Sequence, residues 1–550
     1  MNIQSTLQSM TIQEKVGQMF MLAFAADQLD AARILMGEHL VGAAYIGDEN
    51  VPTARAAIEL TNTLQSYARG TRLGIPLLLG ADQEGTWSVM TAESAMGPGN
   101  MALGATGDPQ YAYDMYSVIA EEMSSVGLNT VLGPACDCNS NPYNSIIGMR
   151  SFGEDPGRVA AMTAAAVRGL QDNGALATLK HFPGHGDTQV DSHRGLPTVN
   201  RSRDELFHID LRPFAEGVKA GAKIVMTAHI IFTALDPEMP ATLSPVILGD
   251  VLRGELGFEG LIVSDSMNMG SMKRNYDPAD AAIGAFKAGV DLMMLAEEHY
   301  DHDVESYLQN QRSLISAVIH AVEDGTISSE RVDEAVERVL RLKREAGFSV
   351  EPAPERPVIV GQERHRAVEL EAARAAVAVL RDRNELLPIS ASAAITLVNT
   401  TRRSAYTVLT RTRGIGPNQA TPAFDVFADA LRARCDNLTI IGAEDYAGSA
   451  LPAEGVIIAV SENYTLPGMD FEAALQVKIM RELNRLAPDR LLAVALRDPY
   501  QLAEYADIDA FVCSFSFRPC AALAAAELLL GEIEPRGRTP VSVPGTELKA

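Results

Sequence analysis

The chain has 550 residues, too many for one compact core, and divides into at least two domains. Its 47% apolar and 21% charged residues are those of an ordinary globular protein, and a net charge of −25 speaks against nucleic acid or an anionic membrane as partner. The first twenty residues lack a basic stretch followed by an apolar one, no uncharged run is long enough to span a bilayer, and five scattered cysteines make no disulfide framework. A cytoplasmic, reduced protein is the expectation.

In chain order, short apolar runs alternate with amphipathic helical patterns over the first 345 or so residues. The runs are GQMFMLAF, VGAAYIG, PLLLGAD, TVLGPACD, LATLKHF, KIVMTAH, GLIVSDS and VDLMMLA. Each is too continuous to be half-exposed, as expected of parallel strands buried on both faces. Several intervening helices open on Asp-Pro or Ser-Pro, a cap followed by proline at the first helical position. Eight strands alternating with helices predict a (β/α)8 TIM-type barrel over residues 1–347, with a doubly wound open sheet as the alternative. Polar residues stand where these runs end: Asp82, Asp137, Lys180 with His181, His229, Asp265 and Glu297. In a barrel all of these ends meet on the face where active sites are built.

Prolines and alternating charge mark a linker at 348–358. Beyond it, over 359–550, a helix EAARAAVAVL leads into the runs AAITLVNT, LTIIGA, GVIIAVS, LLAVALRD and AFVCSFS. These predict a C-terminal α/β sandwich domain that ends in a helix, a turn and a short strand over ELLLGEIEPRGRTPVSVPG.

The densest chemistry lies in HFPGHGDTQVDSH, residues 181–193, which holds three of the chain's ten histidines and two aspartates. Three readings compete. A metal site would draw on His181, His185 and His193, but Pro183 and Gly184 break any helix that would present two of them together. A plain surface loop is the second reading. The third is acid–base catalysis. Asp191 stands two residues before His193, so a turn lets the carboxylate orient the imidazole and stabilise its protonated form. Asp265, at the end of the seventh run, is then the partner that attacks the electron-poor centre, as in a retaining glycosidase. None of this calls for a cofactor. Cys136 and Cys138 flank Asp137, a weak metal signal by itself.

EKVGQMFM, LKHFPGHGDTQVDSH and ATLSPVILGDVLRGELGFEGLIVSDSMNM together resemble glycoside hydrolase family 3, in its β-N-acetylglucosaminidase branch. The resemblance implies Asp265 as nucleophile and His193 as acid/base with Asp191 as its orienting partner. It implies Lys180, His181, Asp82 and Arg150 as ligands of sugar hydroxyls, and assigns His185 and Asp187 to shaping the loop. The substrate it implies is a terminal β-linked N-acetylglucosamine, in bacteria often on cell-wall fragments. A histidine acid/base adds no negative charge against an incoming phosphate dianion, so phosphorolysis of the same intermediate stands beside hydrolysis. A non-catalytic sugar-binding protein is the alternative of another class. Two departures stand out. DQEG continues as TWSVM rather than with Gly and a nearby Arg, which sets Thr86 and Trp87 beside Asp82. The chain also carries a second domain whose ending resembles that of two-domain relatives. Trp87 is read either as a sugar-stacking or as a packing residue.

Overall fold

A computed structural model describes residues 2–189, 192, 195–350, 358–406, 418–446, 451–462 and 473–550. Eight parallel strands form the first unit: β1 (Phe20–Ala23), β2 (Ala43–Tyr45), β3 (Leu78–Ala81), β4 (Thr130–Val131), β5 (Leu176–Phe182), β6 (Ile224–Thr227), β7 (Leu261–Val263) and β8 (Met293–Leu295). They follow one another around the sheet in chain order, with β8 beside β1. A parallel bridge between Val263 and Leu292 joins β7 to the start of β8 and completes the ring. The sheet is a closed barrel, not an open doubly wound one, and each of the eight predicted runs supplies one strand.

Why the runs are apolar without interruption is visible in which neighbours each residue meets. Met21, Ala23, Ala43, Tyr45, Leu78, Ile224 and Met294 belong to a core inside the ring. The alternate residues Phe20, Leu22, Ala44, Leu79 and Val225 pack outward against the helices. Both faces are dry, so a half-polar alternation has no place here. The helices start where proline and a cap acid direct. Asp108, Asp155 and Asp277 each cap a helix with Pro109, Pro156 or Pro278 in its first turn, through side chains that accept backbone N–H groups.

The second unit is a six-stranded sheet: β9 (Ala378–Asp382), β10 (Ala394–Asn399), β11 (Asn437–Ile441), β12 (Val456–Ser461), β13 (Leu491–Ala495) and β14 (Ala510–Cys513). Its spatial order is β9-β14-β13-β12-β10-β11, all parallel except that β9 runs antiparallel to β14. Two expectations change. The stretch EAARAAVAVL is not one helix: the helix Glu363–Ala376 stops, and Ala378–Asp382 pairs with Cys513–Ala510. Alanines carry the helical pattern up to the break, but Val377 and Val379 are better suited to the sheet edge. The final short strand is absent as well. Residues 539–543 give their backbone groups to other partners: Pro540 accepts from Glu154 N–H, and Ser542 N–H donates to the Glu154 carboxylate. Most of the linker predicted at 348–358, namely 351–357, lies outside the described residues. No helix among the described residues is long and apolar enough to cross a membrane.

Candidate active site

Parallel strands put all their carboxyl ends on one face, and there the chain gathers a cluster of buried charges. β3 leads into Asp82 and, two residues on, Glu84; β5 carries Lys180 and His181 at its end. The Lys180 ammonium donates to Asp82 Oδ1 at 2.5 Å and lies 2.5 Å from Glu84 Oε1. Arg150, on the loop after β4, grips Glu84 with two parallel bonds, Nε to Oε2 at 2.9 Å and Nη2 to Oε1 at 2.8 Å. Tyr45, from the end of β2, donates its hydroxyl to Asp82 Oδ2 at 3.0 Å. Lys180 and Glu84 are each only 1% exposed. Burial would push the Glu84 carboxyl up, but Arg150 and Lys180 together hold it at about 2. Burial likewise works against the Lys180 ammonium, and Asp82 and Glu84 more than restore its basicity. Two carboxylates therefore face two cations in a dry pocket, each charge stabilised by the others.

His181 extends this array. Its Nε2 lies 3.3 Å from Arg150 Nη2 and its Nδ1 2.9 Å from Asp137 Oδ2. The ring thus bridges the Arg150 guanidinium and the Asp137 carboxylate, with its Nδ1–H donating to the carboxylate. Asp137 is fully buried, and His181 holds its carboxyl below the usual range against the opposing effect of burial. Its Oδ1 also accepts the backbone N–H groups of His181 at 3.2 Å and His185 at 2.6 Å, so one carboxylate organises the start of the 181–193 loop.

Further along this loop, His185 bonds through Nδ1 to the Thr188 hydroxyl at 2.8 Å and through Nε2 to the Ser192 hydroxyl at 3.0 Å. Burial, and then His181, lower its pKa to about 4, so it is neutral near pH 7. Asp187 pairs with Arg201 at 3.1 Å. Both are thus engaged within the loop and its supports. Ser192, buried itself, accepts the Ser271 N–H on its carbonyl at 3.0 Å. The two residues that flank it, Asp191 and His193, lie outside the described residues.

Asp265 follows β7 by two positions and is half-buried, unlike the enclosed Glu84 and Asp137. Its Oδ1 accepts the Ser266 N–H at 2.7 Å. Neighbouring strand ends steady that turn. His229, after β6, donates from Nε2 to the Ser266 carbonyl at 3.0 Å, and the Ala296 N–H, after β8, donates to the Ser266 hydroxyl at 3.1 Å.

The four predicted sugar ligands Asp82, Arg150, Lys180 and His181 thus form one connected array, with Asp265 at the same end of the barrel. Sequence reasoning did not single out Glu84 or Tyr45 as members, and it noted Asp137 as a strand end between two cysteines, not as a ligand of the array. The spacing Asp82-Gln83-Glu84 just past a strand was the available signal for Glu84. Trp87 is 3% exposed and belongs to the core built mainly by the second unit. Cys136 and Cys138 are buried, with thiols pushed up by burial and directed at the carbonyls of Pro134 and Ile209.

Comparison with known proteins agrees with this architecture. A family model described as the glycosyl hydrolase family 3 N terminal domain matches residues 11–342. A β-hexosaminidase A of Pseudoalteromonas piscicida is 30% identical over 556 residues, covering 92% of this chain and 90% of its own. A β-N-acetylglucosaminidase/β-glucosidase of Cellulomonas fimi is 31% identical over 406 residues, 70% of this chain and 68% of its own. The solved glycoside hydrolase family 3 β-N-acetylglucosaminidase from Paenibacillus sp. str. FPU-7 superposes with a TM-score of 0.83 at 29% identity, over 98% of this chain and 99% of that one. With a matching barrel, a matching second unit and a match to the family model over most of the barrel's length, the chain belongs to glycosyl hydrolase family 3.

Proposed function

We propose that the chain is a retaining exo-β-N-acetylglucosaminidase whose catalytic barrel lies in residues 1–347. Asp265 attacks the anomeric carbon and forms a glycosyl ester as the bond to the leaving group breaks. His193, oriented by Asp191, gives that leaving oxygen its proton. The neutral imidazole then takes a proton from water, whose oxygen attacks the anomeric carbon and releases Asp265. Asp82, Lys180, Arg150 and His181 hold the sugar hydroxyls, the lysine and arginine as donors and the aspartate as acceptor.

The observation that carries this reading is the buried array at the barrel mouth. Its charges are balanced before any ligand arrives, so a neutral sugar rich in hydroxyls suits it better than an ionic substrate. Support also comes from Asp265, the carboxylate left half-buried on a turn braced from both sides. The preference for N-acetylglucosamine rests on the relatives named above.

The test is turnover of p-nitrophenyl β-N-acetylglucosaminide with and without inorganic phosphate, with the sugar product identified. Free N-acetylglucosamine in both conditions is expected; a sugar 1-phosphate would make the enzyme a phosphorylase. Asp265→Ala should abolish release, and persistent turnover would remove Asp265 from its role. His193→Ala should slow an unactivated glycoside far more than the p-nitrophenyl one, because a good leaving group needs little protonation.

A further inference from the structure

A side chain of the second unit reaches the turn that follows Glu84. After β14 the chain runs from Ser514 to Arg518 before the helix Pro519–Leu529 begins. This connection is internally braced: the Ser514 hydroxyl donates to the Ser516 carbonyl at 2.6 Å, and the Arg518 N–H donates to the Ser516 hydroxyl at 3.0 Å. Arg518 is 1% exposed and among the largest fully buried side chains of the molecule. Its guanidinium crosses to the barrel, donating from Nε to the Gly85 carbonyl at 2.7 Å and from Nη2 to the Thr86 carbonyl at 2.9 Å.

Those carbonyls belong to the two residues directly after Glu84. They lie in a tight turn closed by the Glu84 N–H on the Trp87 carbonyl at 2.7 Å, with Gly85 at a φ of +78°. The Thr86 hydroxyl donates onward to the Met149 carbonyl at 3.2 Å, one residue before Arg150. The backbone on both sides of the Glu84–Arg150 pair is therefore connected to Arg518. Two parallel N–H donors from a rigid plane fix the orientation of a turn in a way a single flexible ammonium cannot.

We propose that Arg518 is a positioning residue for the barrel's site: by holding the Gly85 and Thr86 carbonyls it sets where the Glu84 carboxylate meets Lys180 and Arg150, and so gives the second unit control over sugar binding. The consequence for binding rests on reading that array as the sugar site; the mechanical part does not.

The experiment compares the full-length wild type with Arg518→Met, which keeps the bulk and removes the donors, and Arg518→Lys, which keeps the charge and a donor. Hydrogen exchange is followed on peptides spanning 83–90 and 146–151, with β12 and β13 as internal references. Exchange over 83–90 should quicken by about tenfold or more in Arg518→Met, with a smaller change in Arg518→Lys and none in the reference strands. KM for the chromogenic glycoside should rise by about tenfold, with kcat altered much less, because ground-state and transition-state binding of the sugar weaken together. Unchanged exchange over 83–90 would overturn the proposal, as would equal quickening everywhere, since that describes mere loss of stability. A KM that stays fixed while the 83–90 turn loosens would also overturn it. If the methionine variant fails to accumulate as folded protein, the lysine variant carries both readouts. A wild type inert on the glycoside would defeat the functional reading alone, leaving hydrogen exchange to decide the role of Arg518.

Discussion

Glu84 has no solvent to share its charge with. It accepts two bonds from Arg150 and lies beside Lys180, so every stabilising influence on it comes from those cations. Substituting Glu84→Gln keeps the shape and deletes the charge, removing the carboxylate that both buried cations contact. Breaking a buried pair in this way costs about 3–5 kcal/mol, because the surviving charges remain desolvated. The thermal midpoint should fall. If half of that loss appears in the sugar complex, kcat/KM should drop by about 10- to 60-fold, at roughly 1.4 kcal/mol per factor of ten. Calorimetry and steady-state kinetics on one preparation check both, and a variant as stable and active as the parent would show that Glu84 carries no such load. At this scale the sequence was only partly legible. Asp82, Lys180 and His181 announced themselves as polar ends of apolar runs. Glu84 did not, because it sits past the strand in a turn, and its importance comes from Arg150, sixty-six positions further on.

At the scale of elements, local signals did most of the work. Asp-Pro pairs placed helix starts because the acid caps exposed N–H groups and proline needs none of its own. The antiparallel β9 escaped notice because its alanines and valines continue a helical pattern, and only pairing with β14 makes it a strand. The loop after β5 shows a constraint that chemistry alone did not suggest. Gly186 lies so close to the preceding loop that an added Cβ would sit 1.7 Å from the Cys138 carbonyl oxygen, a backbone atom that cannot swing away. Gly186→Ala must therefore push the 181–193 loop off the loop after β4, straining the bonds that Asp137 makes to His181 and His185. The expected result is a folded barrel, judged by circular dichroism, with turnover reduced by about 100-fold or more, as for displacement of a segment that carries the proposed acid/base. Activity within a few-fold of the parent would mean that the loop tolerates the shift and that its register matters less than its residues.

Across the whole molecule the two units share a core. Trp87, Met101, Ala102, Ala105 and Met149 come from the barrel half of the chain, yet they pack with Ala373, Phe424 and Phe517. Polar links reinforce the boundary: His365 lies 2.8 Å from Glu122 and 3.0 Å from Glu121, the Gly97 N–H donates to Glu369 at 3.1 Å, and the Ser542 hydroxyl donates to Glu154 at 2.6 Å. Units joined by a dry interface with paired charges should unfold together, since opening the boundary exposes apolar surface that neither can cover alone. The sequence provides its own reporter, because Trp87 is the only tryptophan and lies in that shared core. Its emission reports the boundary, whereas far-ultraviolet circular dichroism reports all helices and strands. Coincident thermal or urea transitions by the two probes are expected. An emission change at clearly lower denaturant would mean that the units separate before either melts, in which case Arg518 would hold its turn only intermittently. A chain ending at residue 347 should show Trp87 emission shifted to the red even under native conditions, because its packing partners from the second unit are gone.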